Sequence, residues 1–203
     1  MADKSMSSIV EFLKRSREVI DASIESEAFL RSIAQITDAI TVALRGGGKL
    51  LTCGNGGSAG DAQHIAGEFV SRLNYDRAPA ASIALTTDTS VITAIGNDYG
   101  YEHVFERQVL ALGRPGDVLL AISTSGRSPS ILRAMQAARE RQLIVIGFSG
   151  KTAGDMPPLA DLMLHVPSDS TPLIQQIHIT AAHIVCGLVE ERLFPREAPA
   201  LAS

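Results

Sequence analysis

The chain has 203 residues, of which 45% are hydrophobic, 20% charged and 4% aromatic, with no tryptophan and a formal net charge of −4. A chain of this length buries roughly 70% of its unfolded surface, so one domain with its own core is expected. The composition excludes a disordered or fibrous chain, and net negative charge without clustered Lys and Arg argues against nucleic-acid binding as the main role.

The first segments read as two amphipathic helices, 9–24 and 28–44, with Ile9, Phe12, Leu13 and Ile20 at helical spacing, and Gly46, Gly47 and Gly48 end the second. This opening is no signal core, and no uninterrupted apolar run reaches membrane-spanning length. A cytoplasmic protein without a membrane partner is therefore expected. Strand and helix signals then alternate: strand 49–53, helix 58–71, strand 82–85, helices 90–95 and 104–112, strand 117–122, helix 129–141, strands 143–148 and 162–166, and a long helix 172–193. Such alternation predicts an α/β three-layer sandwich around a mostly parallel central sheet. The expected division is an N-terminal helical segment over 1–46, the α/β domain over 47–194, and a frayed tail over 195–203. Apolar faces on the first two helices exceed what one sheet layer covers, which predicts burial against another copy of the chain. Cys53 and Cys186 read as small buried side chains rather than a disulfide pair.

The run Gly54-Asn55-Gly56-Gly57-Ser58 joins a strand to a helix. A glycine-rich turn there lets backbone N–H groups approach an anionic or polyhydroxylated ligand beside the positive end of the helix dipole. His64 and Glu68 follow four residues apart, on one helical face, where imidazole and carboxylate can share a metal ion or a reacting proton. Two other readings compete. Ser58 as N-cap with Asp61 three residues later describes an ordinary helix start. Gly54-x-Gly56-x-x-Ala59 fits a dinucleotide fingerprint, but the acidic residue at the right separation, Asp76, precedes the next strand instead of ending it.

After the apolar strand 117–122 comes Ser123-Thr124-Ser125-Gly126-Arg127-Ser128-Pro129, hydroxyls gathered around a glycine at a helix start, a phosphate cradle by composition. The plainer alternative is that Ser128 caps the helix and the other hydroxyls are solvated. Both loops fall beyond the carboxyl ends of strands, where ligands sit in open α/β sheets. In the last helix, with Thr171 as N-cap and Pro172 at its first position, Gln175 and His183 are eight residues apart on one broad face. His178 reads as a buried, hydrogen-bonded polar group.

Taken together, Gly54-Asn55-Gly56-Gly57-Ser58-Ala59, Asp61-Ala62-Gln63-His64, Glu68, the run from Thr93 to Gly100, Ser123-Thr124-Ser125-Gly126-x-Ser128 and Ile174-Gln175-x-x-His178 with His183 resemble the phosphoheptose (sedoheptulose 7-phosphate) isomerase family of SIS-domain proteins. The resemblance implies a flavodoxin-like SIS fold and conversion of D-sedoheptulose 7-phosphate to D-glycero-D-manno-heptose 7-phosphate, the first step towards nucleotide-activated heptose and lipopolysaccharide. It implies a homotetramer with active sites at subunit interfaces and one zinc ion (Zn2+) per subunit on His64, Glu68, Gln175 and His183. Phosphate contacts are implied from Ser123, Thr124, Ser125 and Ser128, and sugar contacts from Asn55, Gly56, Gly57, Asn97, Asp98 and Gln175. Arg72 and Asp169 are expected near the same site.

Ketose–aldose conversion moves one proton between adjacent carbons and another between their oxygens, so two acid–base groups are required. Glu68 and His183 are the candidates, with either proton open to either group. The fold is also used by proteins without catalysis, such as the relative that associates with a replication initiator, and by isomerases of other sugar phosphates. A pure binding module has no physical reason to assemble His64, Glu68, Gln175 and His183, which favours the enzyme.

Overall fold

The structure, a computed structural model, describes residues 2–196. Two helices open the chain, α1 (Ala2–Glu25) and α2 (Glu27–Arg45). The side chain of Ser26 between them accepts from the N–H of Phe29, so the break is a capped helix start. Then follow β1 (Leu50–Gly54), α3 (Gly57–Val70), β2 (Ser82–Ala84), α4 (Thr89–Asp98), α5 (Glu106–Leu112), β3 (Val118–Ile122), α6 (Pro129–Glu140), β4 (Ile144–Ser149), β5 (Leu162–His165) and α7 (Thr171–Leu193). Short 3₁₀ turns cover Tyr101–His103 and Pro157–Leu159.

The strands form one sheet in the order β2-β1-β3-β4-β5, and every pairing is parallel. β1 and β3 are buried along their whole length, as strands covered on both faces must be. Alternate residues feed two cores. Leu50, Leu120, Ile122, Ile146 and Phe148 pack with Ile36, Ile40, Ile65, Phe69, Ile177 and Val185 of α2, α3 and α7. Leu51, Cys53, Leu119, Ala121 and Val145 pack with Ile95, Val109, Ile131 and Met135 of α4, α5 and α6. The three-layer expectation holds, and α2 supplies part of one layer. β1 and β3 lie side by side where the strand order reverses, so the loops leaving their carboxyl ends flank the crevice of the fold.

By length and composition α7 is apolar enough to cross a membrane. Here its residues Ile174, Ile177, Ala181, Val185 and Val189 are buried in the core. Both cysteines are free and buried, and burial pushes each thiol up to about 12, holding it protonated.

Several element starts differ from the sequence reading. The N-cap of α3 is Gly56 and that of α7 is Ser170, in place of Ser58 and Thr171. The helix expected from Val104 begins at Glu106, because Gly100 at φ 97° turns the chain into the 3₁₀ turn first. Most of the tail expected over 195–203 lies outside the described residues.

Candidate active site

The turn after β1 and the loop after β3 face each other across a cleft of about 320 Å³. Asn55, Gly56, Gly57 and Ser58 line one side, and Ser123, Thr124, Ser125 and Ser128 the other, with Thr171 and Gln175 from the start of α7 closing it. Asn55 joins the two loops: its Nδ2 donates to Ser128 Oγ at 2.8 Å and to Ser130 Oγ at 3.0 Å. The N-termini of α3, α6 and α7 all lie at this cleft, and none carries a side-chain cap. Three positive dipole ends therefore bear on one small space lined by neutral side chains, a setting that favours an anion. Ser128 occupies the N-cap position of α6 without capping it; its hydroxyl is engaged with Asn55 and Ser130 instead.

Two glycines are dictated by close approach. A Cβ on Gly57 would stand 2.5 Å from Gln175 Nε2, so the bare backbone admits the Gln175 carboxamide to the turn. Gly126 takes φ +65°, and a Cβ there would lie 1.9 Å from the Ala153 carbonyl oxygen. Ser123 Oγ and Ser125 Oγ accept from the N–H groups of Gly126 and Arg127 at 3.1 and 3.3 Å, which folds the loop and leaves both hydroxyl protons for a ligand.

α3 and α7 pack side by side, each starting at the cleft. Roughly 9–12 Å beyond Ser58 and Gln175, the last residues of each helix to line the cleft, at the rise of 1.5 Å per residue, stand His64 and His183. Their Nε2 atoms are 2.8 Å apart, and Glu68 Oε1 is 3.1 Å from His64 Nε2. The ligand atoms of His64, Glu68 and His183 all lie within 4.8 Å of one another. One imidazole nitrogen carries at most one proton, so His64 Nε2 cannot donate to both neighbours. A shared cation satisfies all three, and ligands bound at about 2.0–2.1 Å stand roughly 3.3 Å apart in a tetrahedral shell. The donor set of two imidazoles and a carboxylate fits a zinc-type ion. His64 and His183 are exposed and Glu68 is half-buried, so this end of the site opens on the protomer surface.

One turn before His64, Asp61 Oδ2 is buried without a hydrogen-bond partner; burial raises the carboxyl pKa, against the pull of His64. His178 is buried, with Nε2 3.3 Å from the Ser149 carbonyl, and burial lowers its pKa to about 4, so it is neutral at physiological pH. Asn97 and Asp98 sit exposed at the end of α4, the amide of one donating to the carboxylate of the other at 2.8 Å. Asp169 lines a smaller pocket on the far side of the second loop, with Thr124, Ser125 and Arg127. Arg72 is exposed in the turn after α3, which ends at Val70. Three residues went unread in the sequence: Thr171 as a lining residue of the cleft and, behind the lining, Ser130 and Tyr101, whose hydroxyl donates to Asn55 Oδ1 at 2.8 Å. Ser130 looked like one more polar residue at a helix start, and Tyr101 lies 46 residues from its partner.

The SIS-domain family model matches residues 11–150, which sets the class of the fold and its cleft. A phosphoheptose isomerase of Bradyrhizobium sp. (strain ORS 278) is 57% identical over 95% of this chain and 98% of its own length. The structure of phosphoheptose isomerase GmhA from Neisseria gonorrhoeae superposes with a TM-score of 0.86 at 39% identity, covering 92% of this chain and 98% of the other. That of a phosphoheptose isomerase from Francisella tularensis gives 0.89 at 36% identity, with the same coverage. The chain belongs to the phosphoheptose isomerase family.

Proposed function

We propose that the chain interconverts D-sedoheptulose 7-phosphate and D-glycero-D-manno-heptose 7-phosphate, with the phosphate in the cleft and the reacting carbons beside His64, Glu68 and His183. The observation that carries this reading is the pairing, along two adjacent helices, of an anion cradle at one end with an acid–base and metal-ligating cluster two turns away. An extended phosphorylated ketose reaches from one to the other.

Glu68 takes the proton from C1 of the ketose, giving a 1,2-enediol, and returns it to C2. His183 moves the second proton, from the C1 hydroxyl to the C2 oxygen, so the aldose leaves with atoms and charge balanced. Ser123, Thr124, Ser125 and Ser128 hold the phosphate, while Asn55, Gly56, Gly57, Asn97, Asp98 and Gln175 meet the sugar hydroxyls. His64, Glu68 and His183 would hold one zinc ion, which when bound polarises the carbonyl and the enediolate oxygen, while the Gln175 carboxamide, held against Gly57 two turns away, stays with the sugar.

The exposure of His64 and His183, together with exposed Ile9, Leu13 and Ile24 on α1 and Val42 on α2, supports a homotetramer in which a second subunit walls the site. Arg72 and Asp169 then serve at its margins. The product would feed activated-heptose synthesis in the cytoplasm.

The test is aldose formation from sedoheptulose 7-phosphate before chelation, after chelation and after zinc is restored; turnover lost and regained supports the reading, and turnover indifferent to chelation contradicts the metal. Ser125→Ala is expected to raise KM about tenfold, the worth of one hydrogen bond to a charged group, with kcat little changed. An unaltered KM would contradict the cradle.

A further inference from the structure

We propose that Tyr101 is a positioning residue that fixes the orientation of the Asn55 carboxamide and, through it, leaves the Ser128 hydroxyl turned into the cleft as a donor to the bound phosphate. The proposal rests on the reading of residues 123–128 as the phosphate cradle.

Tyr101 opens the 3₁₀ turn that follows Gly100, at the end of the segment bearing Asn97 and Asp98. The residue is 56% exposed, so its side chain adds little to the core, yet its hydroxyl is committed to Asn55 Oδ1 at 2.8 Å. The Asn55 amide is then fully used, with Oδ1 accepting from the phenol and the two Nδ2 protons going to Ser128 Oγ and Ser130 Oγ. Those two hydroxyls stand 3.2 Å apart; Ser130, buried and outside the cleft lining, donates to Ser128, whose own proton stays free. With their lone pairs engaged by Asn55, the remaining hydroxyl proton points to a third partner, and a phosphate oxygen in the cleft is the acceptor.

Rotating the Asn55 amide by half a turn reverses this. Oδ1 would then face both serines and draw their protons inward, leaving the anion to meet oxygen lone pairs. A phenol donates better than it accepts, so Tyr101 favours the productive orientation. It does this from outside the cleft, without touching the ligand.

Tyr101→Phe removes only the hydroxyl. The experiment measures KM and kcat for sedoheptulose 7-phosphate, and the competitive inhibition constant of inorganic phosphate, for the wild type, Tyr101→Phe, Asn55→Ala and the double variant, with a melting temperature for each. In the Asn55-containing protein, Tyr101→Phe is expected to raise KM and the phosphate constant together by about five- to tenfold while kcat stays within about twofold. On the Asn55→Ala background the same change is expected to add less than about twofold, because the group it acts through is gone. If Asn55→Ala fails to fold, Ser128→Ala serves as the background, with a reduced effect of Tyr101→Phe expected there. Unchanged constants in Tyr101→Phe, or an equal effect on both backgrounds, would overturn the proposal. Ser125→Ala with normal phosphate inhibition would instead remove the cradle reading, and this role with it.

Discussion

Glu68→Gln is expected to lower turnover by about 10²–10⁴-fold, the range that general acid–base catalysis contributes, while substrate binding persists. Glutamine keeps the shape of the side chain and removes the basic oxygen pair. Glu68 sits in the last turn of α3, four residues beyond His64 on the same face, so the change is local. The proposed phosphate cradle, in the loop after β3 across the cleft from the start of that helix, is left as it was. Single-turnover kinetics and equilibrium binding separate the two quantities; a variant that turns over normally, or one that no longer binds the sugar phosphate, would contradict the role given to Glu68.

Glu190→Ala is expected to cost about 3–5 kcal/mol of stability, the usual loss when one partner of a buried ion pair is removed. Glu190 and Arg77 have side chains 1% and 4% exposed, with Arg77 Nε 3.1 Å from Glu190 Oε1. The carboxylate also accepts from the N–H groups of Leu73 and Asn74 at 2.9 and 2.8 Å. Arg77 in turn donates to the carbonyls of Phe69 and Glu68, both at 2.7 Å. The pair thus ties α7 to the end of α3, one residue of which is the proposed base. Burial alone would raise the Glu190 pKa, but the two backbone N–H bonds and Arg77 outweigh it and hold the carboxyl below its ordinary 4.5. The sign follows: a depressed folded pKa gives stability that is present above the unfolded value and lost as pH falls through the folded one. Urea unfolding of wild type and Glu190→Ala should differ fully above pH 4.5 and converge below it. A difference independent of pH would show that the carboxylate charge is not what holds this corner.

The sequence pattern carried the layers and the sheet because strands buried on both faces write themselves as apolar runs such as 118–122, and amphipathic helices as spaced ones. It carried both loops of the cleft because glycines and hydroxyls beyond strand ends have a local cause. The candidate metal-ligating trio was legible in halves: His64 and Glu68 by spacing, and His183 as a polar residue on an apolar helix 119 residues later, brought 2.8 Å from His64 only by the packing of α3 on α7. Pairings without local spacing stayed invisible. Glu190 looks like one more charge near a helix end, and nothing near it in the chain points to Arg77, 113 residues away. Tyr101 and Ser130 meet Asn55 in the same long-range manner. The caps were misplaced for a different reason. Ser58 and Thr171 are good capping types, yet both line the cleft, where the helix ends they would have capped face the ligand space.

The proton transfer at the centre of this account is tested most directly by incubating the zinc-loaded protein with sedoheptulose 7-phosphate in deuterated water and following the sugar by NMR. The account predicts aldose product carrying deuterium at C2, with both product and label lost in Glu68→Gln. Aldose formed without solvent deuterium under exchange-permitting conditions, or no product from the folded, metal-loaded protein, would contradict it.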